Sequence, residues 1–300
     1  MATTMPAKRN TLPPAARNLL LVFYWVALLA LLWLLFRQSF LNWYKLVTWP
    51  NSYYSHATLV PFVSLFFVWR KRRELAVLPR KSSAWGYPVL ALSCALVLGA
   101  DLLGFRIFGQ LAFIPLVIGM MLVFLGLQYV KRLWFPLAFL LFMIPLPQSL
   151  TTSVTFRVKM LASEGAVRLA NLFFLPMVRD GSYIHFGNDQ LLVGDVCSGL
   201  RSLIALLALG AIVSYLSESR AWARILILVA SAPIAVLSNI LRILLLCVVG
   251  HFWGSEVASG RVHDISGFLI YVVALVMLFG VERLLHRVAP ARKQPEEEEA

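Results

Sequence analysis

Three residues of this 300-residue chain have side chains suited to catalysis although they lie in or beside apolar segments: Cys197, Arg242 and His263. A cysteine can act as a nucleophile, an arginine can stabilise an anion, and a histidine can carry protons near neutral pH. The chain is 60% hydrophobic and only 14% charged. Polar groups are costly in such surroundings, so we expect these three residues to converge at a functional site.

Cys197 lies in the string GDVCSGLRS at 194–202, at the start of an apolar run. If a helix begins at Cys197, the unpaired N–H groups and positive dipole of its first turn lower the thiol pKa. Arg201, one turn later, acts in the same direction, and the N–H groups around Ser198 and Gly199 could hold an oxyanion. A small buried cysteine beside a capping serine is the alternative, and Cys197 alone does not decide between them.

Arg242 lies inside a long apolar run, three residues after Asn239 and on the same helical face. A charged side chain at membrane depth must face a polar cavity or a partner. A structural ion pair is the alternative interpretation. The only carboxylates within the apolar runs are Asp101 and Glu282, so partners are scarce and a functional role is favoured.

His263 opens the last apolar run, and Asp264 beside it could orient the imidazole or cap the helix. An ordinary histidine pKa of about 6.5 suits proton transfer near neutrality. A capping or interfacial histidine is the alternative. No histidine pair has the HExxH spacing of a zinc site, so we expect neither a metal nor another cofactor.

The apolar runs predict an all-α polytopic membrane protein. Several of them approach the length of about 20 residues that a transmembrane helix needs, and they do not alternate as barrel strands do. We predict about eight transmembrane helices. They lie at 18–36, 57–69, 84–104, 107–127, 133–147, 198–216, 222–250 and 265–284.

The basic residues predict the orientation of these spans. With eight spans, all the basic segments fall on one side, and positive charge favours the cytoplasm. We therefore expect both termini inside and Cys197, Arg242 and His263 toward the periplasm. The net charge of +13 then reflects loops beside anionic lipid rather than nucleic-acid binding. The segments are the N-terminal tail, 70–81, 131–132, 220–224 and 283–293.

The chain is expected to contain one folded domain. We predict a cytoplasmic tail at 1–17, a transmembrane domain at 18–288 and a disordered acidic cytoplasmic tail at 289–300. A periplasmic insertion at 148–196 interrupts the domain.

Two elements are predicted within that insertion. Thr151 to Val178 predicts an amphipathic helix in the membrane interface, and 182–193 predicts a small β-hairpin. Outside the insertion, Cys94 and Cys247 lie within apolar runs and are expected to be inert core thiols.

The strings CSGLRS at 197–202 and NILR at 239–242, with His263 at the last span, resemble the exosortase family of bacterial inner-membrane cysteine transpeptidases. Tyr54-Ser55-His56, an apolar run and Trp69-Arg70 resemble it too, although Ala57 stands where relatives often have glycine. The likeness extends from about Tyr54 to the last span.

The resemblance implies catalytic roles for Cys197, Arg242 and His263. The implied substrates are membrane-anchored exported proteins with a C-terminal Pro-Glu-Pro motif, a transmembrane helix and a basic tail. Cleavage through a thioester on Cys197 would occur at the periplasmic face, and hydrolysis and transfer share that intermediate. The competing hypothesis is a transporter or exopolysaccharide-export component in which Arg242 lines an anion path and Cys197 is dispensable.

Overall fold

The computed structural model describes residues 14–49, 52–187, 189–194 and 199–290, and these residues form mainly helices around one small antiparallel sheet. The helices are α1 Pro14–Thr48, α2 Leu59–Arg70, α3 Arg72–Ala76, α4 Gly86–Leu103, α5 Arg106–Leu111, α6 Phe113–Phe124, α7 Leu127–Arg132, α8 Trp134–Phe139, α9 Gln148–Leu172, α10 Leu200–Leu216, α11 Ala221–Trp253, α12 Ser255–Ser259 and α13 Arg261–Val288. Two short 3-10 helices span Ser55–Thr58 and Leu140–Met143. The strands are β1 Met177–Asp180, β2 Tyr183–Phe186 and β3 Asp189–Leu192.

Four helical stretches in the described residues are long and apolar enough to cross a membrane: Gly86–Leu103, Ile107–Phe124, Ala221–Trp253 and Ile265–Val288. A fifth is added if the bent pair Trp134–Met143 and Gln148–Leu172 forms one span. The predicted helical membrane protein with several spans is confirmed. The predicted count of eight spans is not.

Two of the predicted spans are short helices. The predicted second span corresponds to α2, with 12 residues, and the predicted sixth to α10, with 17 residues. A bilayer core of about 30 Å needs about 20 helical residues, so both helices are shorter than a usual transmembrane span. The predicted first span lies in α1, where most side chains at 18–29 are outside the described part of the chain.

The predicted fifth span, 133–147, is a broken helix. α8 ends at Phe139, the following 3-10 turn ends at Met143, and the chain then bends by 83° into α9. Ile144 is extended, with φ −86° and ψ 122°. Pro145 explains this conformation, because a proline disfavours the helical region for the residue before it.

The predicted amphipathic helix Thr151 to Val178 ends earlier than expected, at Leu172. A Schellman motif terminates it: Leu175 N–H donates to the Ala170 carbonyl at 3.0 Å, and Phe174 N–H to the Asn171 carbonyl at 3.2 Å. Phe174 takes the left-handed position of this motif, with φ 61°. The prediction missed this ending because no glycine marks it.

The predicted β-hairpin is confirmed, with Tyr183 opposite Leu192 and Phe186 opposite Asp189. Asn188, in its turn, lies outside the described residues. The structure adds β1 as a third strand on the far side of β2. The sequence analysis had assigned the first part of β1 to the preceding helix.

Helix α11 is the centre of the packing. Its buried Ile243, Leu246 and Cys247 form one core with the sheet and α9. Further toward its N-terminus, Ile227 and Ile234 pack with α10 and α13. A residue on α11 can therefore face the insertion, α10 or α13 according to its helical position.

The two described cysteines differ in environment. Cys247 is buried, as predicted, but Cys94 is exposed on α4. The prediction of a core position was wrong for Cys94 because an apolar run alone does not show which helix face packs inward.

Four of the five basic segments lie close together at one end of the helical bundle. Lys71 Nζ donates to the Arg132 carbonyl at 2.8 Å and lies 5.5 Å from the Tyr215 ring centroid at the end of α10. Arg220 N–H donates to the Ala289 carbonyl at 3.0 Å. Segments predicted to share a membrane side are thus in contact. Of the predicted disordered tail, residues 291–300 lie outside the described chain.

Replacing Phe174 by glycine is expected to stabilise the protein by about 1 kcal/mol, because a side chain in the left-handed region costs about 1–2 kcal/mol. Phe174 is 93% exposed, so little packing is lost. Phe173→Gly is the matched control, since Phe173 has φ −93° and carries no such strain. Thermal unfolding in detergent should rank Phe174→Gly above the wild type. Equal midpoints for the two glycine variants would contradict the assignment of strain.

Asp189 joins the sheet to α12 and is expected to make that contact pH-dependent. Its carboxylate accepts from Ser255 N–H at 2.8 Å and from Gln190 N–H at 2.9 Å. The Ser255 bond, followed by the Gln190 bond, lowers the pKa of Asp189 below its ordinary 3.8. A lowered pKa means that the stabilisation is complete at neutral pH and is lost as pH falls through the lowered value.

Asp189→Ala should therefore increase amide hydrogen exchange at Ser255 at pH 7. Near pH 3 and below, the difference from the wild type should shrink. A difference that stays constant with pH would show that the charge of Asp189 has no part in the contact.

Candidate active site

The first turn of α10, the middle of α11 and the first turns of α13 enclose a cavity of about 340 Å³. Three helices that are distant in sequence each contribute cationic or polar groups to it. We call it the cationic cavity. Its walls are Gly199, Arg201, Ser202, Arg242, His263, Gly267, Phe268, Ile270 and Tyr271.

Arg242 is fixed by one turn of α13. Its Nε donates to Ser266 Oγ at 3.2 Å, and one terminal nitrogen donates to the His263 carbonyl at 3.2 Å. Ser266 Oγ in turn donates to the same carbonyl at 2.8 Å. Among the described residues no carboxylate forms an ion pair with Arg242. Arg242 also lines the cationic cavity.

The imidazole of His263 lies against the same guanidinium. Arg242 approaches His263 Nε2 at 3.4 Å, and an arginine can only donate hydrogen bonds. Nε2 must therefore accept, which places the proton of the neutral ring on Nδ1. In that tautomer Nδ1–H is a hydrogen-bond donor and Nε2 carries the lone pair of the ring.

Gly199 lies directly against α11 at the start of α10. It precedes the first residue of α10 with φ 76°. A Cβ at this position would lie 2.6 Å from Asn239 Nδ2, and Asn239 is fully buried. Only glycine combines this left-handed backbone with so close an approach. The predicted residues Gly199 and Asn239 are thus in contact.

Cys197, Ser198 and Asp195 lie outside the described residues. The structure begins α10 at Leu200, so the helix does not start at Cys197 as the sequence analysis assumed. Gly199 occupies the N-cap position, where its carbonyl accepts from Leu203 N–H at 2.8 Å and from Ser202 Oγ at 2.9 Å. Cys197 precedes this cap by two residues. Gly199, which follows Cys197 by two residues in the sequence, belongs to the wall of the cationic cavity.

The other predicted supporting residues have different placements. Arg201 lines the cationic cavity, so that two guanidinium groups face it. The side chain of Asp264 lies outside the described part, although its backbone belongs to α13.

His56 is not among the residues that line the cationic cavity. It lies in the 3-10 turn at 55–58, which packs through Tyr54 and Ala57 against Leu200 of α10. Burial lowers the pKa of His56 below 6.5; the carbonyl of Phe142 opposes this effect, and the charge of Arg201 adds to it. Neither ring nitrogen makes a hydrogen bond of good geometry in the described chain. His56 is therefore expected to be neutral at physiological pH.

The sequence analysis missed Ser266, Gly267 and Tyr271. Ser266 and Gly267 follow His263 by three and four residues, the spacing of one helix face, so this signal was present. A Cβ on Gly267 would lie 3.3 Å from a terminal nitrogen of Arg242, which explains why a small residue stands there. Tyr271 lies one turn further along the same face and lines the cavity.

Comparison with known proteins identifies the family. The family model for transmembrane exosortases matches residues 43–280, which include α2, the insertion, α10, α11 and the part of α13 that lines the cationic cavity. The chain belongs to the transmembrane exosortase family, and the resemblance seen in the sequence is confirmed. No curated protein and no solved structure matches the chain.

Gly199→Ala is expected to disrupt the site, because it adds left-handed strain and a clash with Asn239. Strain of about 1–2 kcal/mol and overpacking of about 1–3 kcal/mol together predict a loss of roughly 2–5 kcal/mol in unfolding free energy. Gly104→Ala is the matched control: its φ is 71°, but nothing lies within 4 Å of the added Cβ. Gly104→Ala should therefore lose only the unfolding free energy that corresponds to the backbone strain. Thermal unfolding of both variants in detergent checks this, and equal losses would contradict a close approach at Gly199.

Proposed function

We propose that the chain is a membrane-embedded cysteine peptidase or transpeptidase. It would cleave C-terminal sorting signals of membrane-anchored exported proteins through a thioester on Cys197. Membership of the transmembrane exosortase family supports a membrane transpeptidase role. The observation that carries the finer proposal is the Arg242–His263 pair, which faces a cavity whose wall begins two residues after Cys197.

The first chemical step needs a thiolate and a place for its proton. In the tautomer that the Arg242 contact favours, the lone pair of the imidazole is on Nε2, so Nε2 would take the thiol proton and the imidazolium would then carry a proton on each nitrogen. The sulfur then attacks the substrate carbonyl carbon, and a C–S bond forms as the carbonyl π electrons move to oxygen. The resulting oxyanion would be bound by Arg242 and by the N–H groups at the start of α10.

Collapse of this tetrahedral species breaks the C–N bond. The leaving amine takes the proton from His263 Nε2, and the acyl group remains on Cys197 as a thioester. A second nucleophile, either water or an acceptor amine, then attacks the thioester and returns the sulfur to the thiol. Arg242 has hydrogen bonds to Ser266 and to the His263 carbonyl, so it can bind each oxyanion without reorganising.

The proposed substrates carry a Pro-Glu-Pro motif, a transmembrane helix and a basic tail. The tail helix would dock among the spans of the enzyme in the bacterial inner membrane, with both termini of the enzyme in the cytoplasm. The four basic segments that lie close together at one end of the bundle support this orientation through the preference of positive charge for the cytoplasm. The cationic cavity would then open toward the periplasm.

Cys197→Ala should abolish processing of a co-expressed reporter with such a tail. Arg242→Lys should lower the rate by about 10²-fold, because a lysine keeps the charge but cannot reproduce the fork of hydrogen bonds to Ser266 and His263. Arg157→Lys, at an exposed position on α9, is the matched control and should process at the wild-type rate. Immunoblotting of reporter and product over time gives the rates.

A Cys197→Ala variant that processes the reporter at the wild-type rate would refute the cysteine mechanism. An anion flux that depends on Arg242 and persists in Cys197→Ala would instead favour the transporter hypothesis.

A further inference from the structure

A second cavity adjoins the cationic cavity and shares His263 with it. It has a volume of about 230 Å³ and lies between β3 and the helices α11 to α13. We call it the aliphatic cavity; its walls include Leu191, Val193, Gly194, Ile243, Leu246 and His263. Because one imidazole borders both cavities, a polypeptide that reacts beside His263 has neighbouring residues at the aliphatic cavity.

Among the described residues, strand β3 is an edge of the sheet and pairs with β2 alone. Its ladder shows which backbone groups point outward. Val193 N–H donates to the Ser182 carbonyl at 2.9 Å, and Ile184 stands opposite Leu191. Hydrogen-bonded pairs alternate along an antiparallel ladder, so residues 191 and 193 turn their backbone groups toward β2. Gln190 and Leu192 turn theirs away from the sheet.

Two of these four outward N–H and carbonyl groups already make hydrogen bonds within the chain. Gln190 N–H donates to the Asp189 carboxylate at 2.9 Å, and the Leu192 carbonyl accepts from Gly194 N–H at 3.0 Å. Within the described chain, Leu192 N–H and the Gln190 carbonyl have no partner. A free N–H and a free carbonyl two residues apart are the groups that hold one residue of a parallel strand.

We propose that one substrate residue near the scissile bond docks on this outer edge of β3. Its carbonyl accepts from Leu192 N–H, its N–H donates to the Gln190 carbonyl, and its side chain enters the aliphatic cavity. This inference rests on the proposed function. Strand addition supplies main-chain hydrogen bonds, and the adjoining cavity supplies side-chain selection. The docked residue is aliphatic, because a charged side chain would lose its hydration in the aliphatic cavity. It is not proline, because proline has no N–H to donate to the Gln190 carbonyl.

Leu192→Pro tests the edge, because it removes the outward N–H and leaves the ladder to β2 intact. Reporter processing should fall about tenfold, the effect of one lost hydrogen bond of ordinary strength. Leu192→Ala keeps the N–H and should process at least three times faster than Leu192→Pro. Equal rates for the two variants, or a wild-type rate for Leu192→Pro, would overturn the proposal.

Photo-crosslinking tests docking without catalysis. A benzoylphenylalanine replacing Gln190, in a Cys197→Ala background, should capture the uncleaved reporter. The same probe replacing Val178, an exposed position on the opposite edge strand β1, should not. No capture at position 190, or capture of a second copy of this chain there, would overturn the proposal.

The outcomes also separate this proposal from the enzymatic one. If Cys197→Ala is inactive and position 190 captures nothing, the edge proposal fails while the cysteine mechanism stands. If Cys197→Ala cleaves the reporter at the wild-type rate, the cysteine mechanism fails whatever the crosslinks show.

Discussion

The hydrogen bonds between Arg242 and the first turns of α13 are the constraint on which the site depends. A guanidinium among apolar helices is tolerated only where its donors are satisfied and its charge faces a polar space. Here Ser266 and the His263 carbonyl satisfy Nε and one terminal nitrogen, and Gly267 leaves room for the group. The same guanidinium contacts His263 Nε2 at 3.4 Å, where only the imidazole nitrogen can accept a hydrogen bond. One charged residue thus joins α11 to α13 and holds the imidazole of His263 beside it.

The rest of the architecture places the start of α10 beside this pair. α11 packs against α9 and the sheet on one side and against α10 and α13 on the other, so it connects the insertion to the cavity. Gly199 lies against Asn239 of α11, three residues before Arg242, so the start of α10 is held close to α11. The left-handed backbone at Gly199 allows this close approach.

The parts of this account that sequence could predict are those governed by local chemistry. The apolar runs predicted a helical membrane protein, the alternation at 182–193 predicted the hairpin, and the scarcity of carboxylates singled out Arg242. The parts that failed depend on backbone geometry and packing. The early end of α9 requires a left-handed phenylalanine, which no propensity anticipates, and the bend before α9 divides an apolar run that reads as continuous. Ser266 was missed because a serine becomes informative only when its partner is known.

The most direct measurement of the central claim is the intact mass of the Cys197 peptide from enzyme purified after brief co-expression with the reporter and rapid acid quench. The account predicts an adduct equal to the N-terminal cleavage product, attached at Cys197 and released by neutral hydroxylamine. It also predicts that the adduct is absent in Arg242→Ala. Continued processing of the reporter with no adduct on Cys197 at any time point would contradict the account.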